Sequence, residues 1–268
     1  MLRALDENRI KADTGRIYDN IICLDETGST NDVAKECAAE GLQSVLITTD
    51  YQCGGRGRMG RVWSASKYES LAMTWLLPER LSGQIVPEMI PTITLIAGLA
   101  VAEAVIAEGI DAKIKWPNDV IVGGKKISGI LTEMVSLGNV NRMMIGTGVN
   151  VSNRSFPDEI REKATSLYLE TGIDVPRERL IAGISEKTAS FLNQMIADTD
   201  LRSIIDRYNE LLINRGREVV LSGGGYQNEH YTALGITPSG ALVIKDEAGI
   251  ISEVTSGEVS VRGVLGYV

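Results

Sequence analysis

Histidine and cysteine are scarce in this sequence. Among 268 residues there is one histidine, His230, and there are three cysteines, Cys23, Cys37 and Cys53. A single histidine argues against a Ser-His-Asp or Cys-His hydrolase and against a histidine-ligated metal site. The cysteines are few, odd in number and without the spacing of metal ligands. We therefore expect a protein of the reducing cytoplasm.

Long apolar runs and an excess of positive charge are also missing. We find no signal peptide at the start and no run of about 18 apolar residues that would span a bilayer, so we expect no membrane association. The net charge of −8 argues against a general DNA- or RNA-binding protein, which usually carries a basic face. The hydrophobic content of 44% is ordinary for a globular chain.

Against this acidic background, one loop concentrates glycine and positive charge. Residues 54 to 63 read Gly-Gly-Arg-Gly-Arg-Met-Gly-Arg-Val-Trp, with four glycines and three arginines. No acidic residue occurs between Tyr51 and Tyr68. Glycine lets the backbone approach a ligand closely, and the arginine fork suits carboxylate and phosphate. The loop therefore predicts a site for a small anion.

Two common phosphate loops fit this stretch poorly. The spacing Gly55-x-Gly57-x-x-Gly60 formally matches the dinucleotide fingerprint, but that motif should open a helix. Here a strand-like segment, residues 70–77, follows instead. A P-loop is excluded because no Gly-Lys-Ser/Thr closes the stretch. A solvated basic turn remains the plain alternative.

The apolar pattern predicts alternating strands and helices up to about residue 213. We expect residues 1–19 to form an arm or edge element and residues 152–169 to be irregular. Strands are predicted at 21–24, 44–49, 70–77, 112–122 with a Pro-Asn-Asp turn, 125–133 and 142–151. Helices are predicted after Ser29 and at 87–109, 176–197 and 201–213.

Composition changes at Asn214-Arg215-Gly216. Beyond this point five short strands are predicted, at 218–221, 230–236, 241–245, 250–254 and 258–262. Five strands in so short a span suggest a small barrel. We therefore divide the chain into a domain of residues 1–214 and a second domain of residues 215–268.

Three further segments carry chemistry-bearing side chains. The segment Lys115-Trp116-Pro117-Asn118-Asp119 brings an amine, an indole, an amide and a carboxylate together, although Pro-Asn-Asp is also ordinary turn chemistry. Lys126 lies near the start of the next strand, and a lysine there can meet a carboxylate and a phosphate together. The segment Gly146-Thr147-Gly148-Val149-Asn150 ends another strand, where glycines mark a close approach.

Taken in order, these motifs resemble those of the biotin protein ligases. The resemblance covers nearly the whole chain and rests on six segments in series: Ser29-Thr30-Asn31, Gly55 to Trp63, Lys115 to Asp119, Lys126 to Leu131, Gly146 to Asn150, and Gly257 to Arg262. It implies an α+β fold, with a mixed sheet like that of class II aminoacyl-tRNA synthetases and a C-terminal SH3-like barrel.

The resemblance also implies a reaction and its partners. Biotin and Mg-ATP give biotinyl-5′-AMP and pyrophosphate, and the ε-amine of a lysine on a biotin carboxyl carrier domain then displaces AMP. Only 28 residues precede Ser29, so we expect no N-terminal DNA-binding domain. The oligomeric state stays open, with a homodimer as one alternative.

The site residues follow from the motifs, with roles implied by the resemblance. The catalytic candidates are Lys126, Arg58, Arg56 and Asp119. The biotin site is assigned to Ser29, Thr30, Asn31, Gln52, Arg56, Gly57, Arg58, Lys126 and Gly129. The ATP site is assigned to Arg58, Arg61, Trp63, Lys115, Asn118, Asn150 and Arg262. Magnesium is assigned to Asn118 and Asp119, whose oxygens are hard donors.

Within this scheme each charged group has an expected task. Joining a carboxylate to a phosphate unites two anions, so Arg56, Arg58 and Lys126 are expected to neutralise charge at the phosphoryl group. Asp119 could alternatively receive the ammonium of the acceptor lysine. Two other functions remain open: a lipoate or octanoyl transferase of the same fold, and a binding module without turnover.

Overall fold

The computed structural model describes residues 3–256 and 259–263 of the chain. Its helices are α1 (Glu7–Thr14), α2 (Thr30–Ala39), α3 (Glu79–Ser82), α4 (Ile90–Ala107), α5 (Leu167–Thr171), α6 (Arg177–Asp198) and α7 (Ile205–Leu211). Its strands are β1 (Asn20–Leu24), β2 (Val45–Thr49), β3 (Ser70–Leu76), β4 (Ala112–Lys115), β5 (Asp119–Val122), β6 (Lys125–Leu137), β7 (Val140–Asn150), β8 (Glu218–Gly223), β9 (Tyr226–Ile236), β10 (Leu242–Lys245), β11 (Ile251–Val254) and β12 (Ser260–Gly263).

Seven strands form one mixed sheet in the order β1-β2-β3-β7-β6-β5-β4. β1 and β2 run parallel and are joined through α2, as a parallel pair requires a crossover. The other neighbouring pairs are antiparallel. This arrangement confirms the mixed sheet with helices that the sequence predicts.

Helices cover both faces of this sheet. On β2, Val45 and Ile47 face the small apolar cluster under α2, whereas Leu46 belongs to the larger core that contains α4 and α6. Alternate side chains of a strand point to opposite faces, so α2 and the α4–α6 pair lie on opposite sides. On the α2 side the apolar cluster is small, and the first turn of α2 lines the site.

Residues after α7 form a second, antiparallel sheet in the order β11-β10-β9-β8-β12. It packs against the first unit at Trp116, whose indole N–H donates to the Gly240 carbonyl at 3.0 Å. The proposed division between residues 214 and 215 lies between α7 and β8. Asn214 also faces the first unit, since its side-chain oxygen accepts from the Trp116 N–H at 3.1 Å.

The N-terminal segment is a helix, α1, where the sequence analysis expected an arm or edge element. Asp6 caps it by accepting from the Arg9 N–H at 3.1 Å. The helix buries Ile10 completely and packs on α6. Its other residues are polar apart from Ala12, so the pattern of apolar residues gives almost no signal.

The helix α4 corrects the expectation that no segment is long and apolar enough to cross a membrane. Its 18 residues have a mean hydropathy of 2.0. The structure buries 72% of the helix between the large sheet and α6, and this position in the core accounts for its apolarity. The other boundaries shift by a few residues: α7 is shorter than predicted and β9 longer. Residue 258 of the last predicted strand lies outside the described residues.

Candidate functional site

Fourteen of the predicted site residues line one cleft on the large sheet. Its walls come from the start of α2, the glycine loop, the turn between β4 and β5, the strands β6 and β7, and residues 259–261 of the small sheet. The predicted residues in this lining are Ser29, Thr30, Asn31, Gln52, Arg56, Gly57, Arg58, Arg61, Trp63, Lys115, Asn118, Asp119, Lys126 and Gly129. Segments far apart in sequence therefore build one site.

The glycine loop folds back on itself across the cleft. The Gly57 N–H donates to the Arg61 carbonyl at 2.7 Å, and the Trp63 N–H donates to the Gly55 carbonyl at 2.9 Å. A side chain at position 55 would place its Cβ 2.5 Å from the Trp63 carbonyl oxygen. Glycine is therefore required there for the chain to pass itself closely.

Buried hydroxyls and amides form the floor of the cleft. The Thr30 N–H donates to Gln52 Oε1 at 2.9 Å, and the Thr74 hydroxyl lies 2.8 Å from the Thr30 hydroxyl. Asn31 Oδ1 accepts from the same Thr74 hydroxyl at 2.6 Å. Because these groups hold each other, they offer a rigid set of polar contacts to a neutral polar ligand. Ser29 is the N-cap residue of α2, but its side chain makes no capping bond.

A lysine–aspartate–lysine arrangement forms one wall. Lys126 Nζ lies 2.6 Å from Asp119 Oδ1, and Lys115 Nζ lies 3.8 Å from Asp119 Oδ2. The Lys126 ammonium also lies 5.5 Å from the centre of the Trp63 ring. Two ammonium groups share one carboxylate, so this wall keeps a net positive charge toward an incoming anion.

Lys115 is buried among these charges, and burial lowers its pKa to about 8. Asp119 opposes this shift, whereas Lys126, Arg61 and Arg262 add to it. A folded-state pKa below the usual 10.5 means that the unfolded chain binds the proton more tightly. Stability should therefore rise as the pH rises from about 8 to 10.5.

We expect this titration to disappear in Lys115→Met. Relative to that variant, the wild-type free energy of unfolding should increase by roughly 3 kcal/mol between pH 7 and 10.5, from a shift of about 2.5 units. Urea unfolding at a series of pH values measures the difference. Lys113→Met, at a more exposed lysine of the same strand, is the control. A wild-type curve parallel to that of Lys115→Met would contradict the expectation.

Arg56 lines the cleft, but its guanidinium already has a carboxylate partner. Its guanidinium forms a bidentate pair with Asp32 in the first turn of α2, with N–O distances of 2.7 and 2.6 Å. The hydrogen bond from Arg56 lowers the pKa of the Asp32 carboxyl. The assignment of Arg56 to phosphoryl neutralisation stays a prediction, and in this geometry the charge of Arg56 is balanced by Asp32.

Asn150 and Arg262 are the predicted residues outside the lining. The Asn150 amide is buried and donates to the Thr165 carbonyl at 3.0 Å, while its Oδ1 atom has no hydrogen-bond partner among the described residues, so its assignment to ATP stays a prediction. Arg262 is exposed on β12, yet its charge still acts on Lys115. Residues 257 and 258, which begin the last predicted motif, lie outside the described residues.

The predicted magnesium ligands are already engaged. Asp119 is balanced by two lysines, and Asn118 Oδ1 accepts from Arg58 at 3.2 Å while its amide donates to the Ile130 carbonyl. Within residues 3–256 and 259–263, no cluster of three His, Cys, Asp or Glu residues could hold a metal ion. One neutralised carboxylate does not fit a cation held by the protein alone.

Several lining residues escaped the assignment from sequence. The motif from Gly146 to Asn150 predicts a close approach, but neither Gly146 nor Gly148 is among the assigned site residues. A Cβ on Gly146 would lie 2.4 Å from Asn31 Oδ1, and one on Gly148 would lie 2.6 Å from the Trp63 indole. The absence of a side chain at Gly146 and Gly148 therefore leaves room for Asn31 and Trp63, respectively. Val259, Ser260 and Val261 also line the cleft; they lie within the last family segment, Gly257 to Arg262, of which only Arg262 was assigned to the site.

The fold and the site together define a ligase of the class that attaches small acids to proteins. Residues 25–150 match the biotin/lipoate A/B protein ligase family, and residues 216–262 match the biotin protein ligase C-terminal domain. The bifunctional ligase/repressor BirA of Bacillus spizizenii is 33% identical over 242 residues, which cover 86% of this chain and 71% of that protein.

Two further comparisons are with ligases that are named for biotin. The biotin–[acetyl-CoA-carboxylase] ligase of Mycobacterium tuberculosis is 29% identical over 268 residues, covering 96% of this chain and 94% of that protein. The biotin protein ligase of Aquifex aeolicus in complex with biotin and ATP aligns with a TM-score of 0.80 at 30% identity, covering 92% of this chain and 100% of the other. The chain belongs to the biotin protein ligase family.

Proposed function

We propose that this chain is an ATP-dependent biotin–protein ligase. In the first step a carboxylate oxygen of biotin attacks the α-phosphorus of ATP, so that biotinyl-5′-AMP forms and pyrophosphate leaves. In the second step the neutral ε-amine of a carrier lysine attacks the acyl carbon, AMP leaves, and the amine loses its extra proton. The observation that carries this proposal is the meeting of the glycine loop, Lys126 and the polar floor in one cleft.

The charges in the cleft suit the first step. Two anions must approach each other, so positive groups have to surround the carboxylate and the phosphate. We assign this task to Lys126 and Arg58, with Arg61 toward the pyrophosphate. The part of the cleft around Thr30 and Gln52 suits the ureido ring of biotin, which offers donors and an acceptor.

The remaining partners belong to the same proposal. The carrier is a biotin carboxyl carrier domain, and the cellular setting is the cytoplasm. Magnesium enters as the counter-ion of ATP, because phosphate oxygens are ligands that it prefers and the described residues of the cleft offer no free carboxylate pair.

The decisive experiment is incubation of the purified protein with a biotinyl domain, biotin and Mg-ATP. We expect the intact mass of the carrier to increase by one biotinyl group, with pyrophosphate released in equal amount. Reactions without ATP, with lipoate in place of biotin, and with a carrier whose acceptor lysine is replaced by arginine are the controls. Tight biotin binding without a product would instead favour a binding module, and labelling by lipoate would favour the lipoate reaction.

A further inference from the structure

Arg56 and Arg58 leave the glycine loop in different directions. Arg56 pairs with Asp32 on α2, and its guanidinium also lies 4.0 Å from Glu133 on β6. Arg58 instead donates to Asn118 at 3.2 Å and to the Ser256 carbonyl. The loop is therefore held at two points, one on the rim at α2 and one inside the cleft.

The contact on the rim continues into the floor. Glu133 accepts from the Asn31 amide at 2.6 Å and pairs with Lys35 at 3.1 Å. Asn31 in turn accepts from Thr74, which also contacts Thr30. The position of the loop is thus connected through hydrogen bonds to the residues proposed to receive the ureido ring.

The charges of this rim cluster balance. Arg56 and Lys35 supply two positive charges, and Asp32 and Glu133 supply two negative charges. A guanidinium that already has a bidentate carboxylate partner loses that bond if it turns toward a phosphate. The geometry therefore favours Arg56 as an attachment point of the loop, with its charge directed away from the reacting atoms.

We propose that Asp32, supported by Glu133, is a positioning residue that holds the glycine loop over the cleft by binding Arg56. In this arrangement Arg56 anchors the loop, and Arg58 and Lys126 act on the phosphate. The kinetic consequences of this role of Asp32 rest on the proposed ligase activity. Its structural consequence, a loop held over the cleft without ligand, does not.

The test compares Asp32→Asn, Asp32→Glu and Arg56→Gln with the wild type in pyrophosphate release. Asp32→Asn and Arg56→Gln should each raise KM for biotin by about two- to fivefold at nearly unchanged kcat, as expected when a surface ion pair that aids binding is lost. The double variant should be no worse than either single variant, because both remove the same contact. Asp32→Glu should recover most of the effect.

A direct phosphate role of Arg56 predicts the opposite pattern. Arg56→Gln would then lower kcat by 100-fold or more, and Asp32→Asn would leave kcat unchanged or raise it by freeing the guanidinium. Either result overturns the proposal. Asp13→Asn, which breaks the exposed Arg9–Asp13 pair at 3.6 Å, is the matched control and should change neither constant.

Limited trypsin digestion without ligand tests the loop independently of turnover. Asp32→Asn should accelerate cleavage after Arg58 and Arg61 by about two- to fivefold, while the melting temperature stays near that of Asp32→Glu. Equal cleavage of wild type and Asp32→Asn overturns the anchor. A wild-type protein that releases no pyrophosphate from biotin and Mg-ATP defeats the proposed function alone, since the digestion result still stands.

Discussion

Lys126→Met is expected to slow biotin-dependent pyrophosphate release by about 10²- to 10³-fold, the loss typical of removing one preorganised charge from a transition state. Methionine keeps an unbranched side chain but removes the ammonium, which lies 2.6 Å from Asp119 and 5.5 Å from the centre of the Trp63 ring. Single-turnover assays with saturating biotin and Mg-ATP measure the chemical step directly.

The neighbouring lysine provides the control for this substitution. Lys125 lies on the same strand, and its ammonium contacts only the Arg161 carbonyl among the interactions described, at 3.3 Å. Lys125→Met should therefore react at the wild-type rate. If Lys126→Met matched Lys125→Met while both stayed folded by circular dichroism, the assignment of Lys126 to the reacting groups would be wrong.

Gly148→Ala is expected to weaken binding of both biotin and ATP by at least about tenfold, since even a displacement of about 1 Å is costly in such a site. The new methyl group would lie 2.6 Å from atoms Cε2 and Nε1 of Trp63, so the indole has to leave its place on the strand. We also expect the free energy of unfolding to fall by about 1–3 kcal/mol, as in other overpacked sites. Isothermal titration calorimetry and urea unfolding measure the two effects.

A second glycine separates this steric effect from glycine replacement in general. Gly98 lies inside α4, and a Cβ there would meet only the Ile130 Cδ1 atom, at 3.9 Å. Gly98→Ala should raise stability by about 0.5–1 kcal/mol and leave binding unchanged. Wild-type affinity in Gly148→Ala would show that the cleft does not depend on where Trp63 lies.

The composition of local motifs is what made most of the cleft predictable. The glycine loop and the segment from Lys115 to Asp119 each combine residue types that suit an anion and fit a core badly. Their meeting in space follows from strand pairing, because β3, which follows the loop, is joined through β7 and β6 to β5, which follows the second segment. The sequence therefore indicated which residues belong together without giving their distances.

The features that escaped prediction depend on tertiary contacts. Asp32 lies 24 residues before Arg56, and their pairing depends on the path of a loop that no periodicity describes. Asn150 has the chemistry to recognise a base, but the sequence does not show that one of its amide hydrogens goes to the Thr165 carbonyl. The helix α1 is stabilised by the burial of one isoleucine against α6, a contact invisible in a polar stretch.

The placement of the three tryptophans gives the protein a built-in optical reporter. Trp75 and Trp116 are buried and donate their indole N–H groups to Ser44 and Gly240. Within residues 3–256 and 259–263, the Trp63 indole N–H is enclosed without a hydrogen-bond partner, in the wall of the cleft. A change in intrinsic fluorescence on adding a small molecule should therefore come from Trp63 and from Trp116, which also lines the cleft, and Trp63→Phe would separate the two contributions.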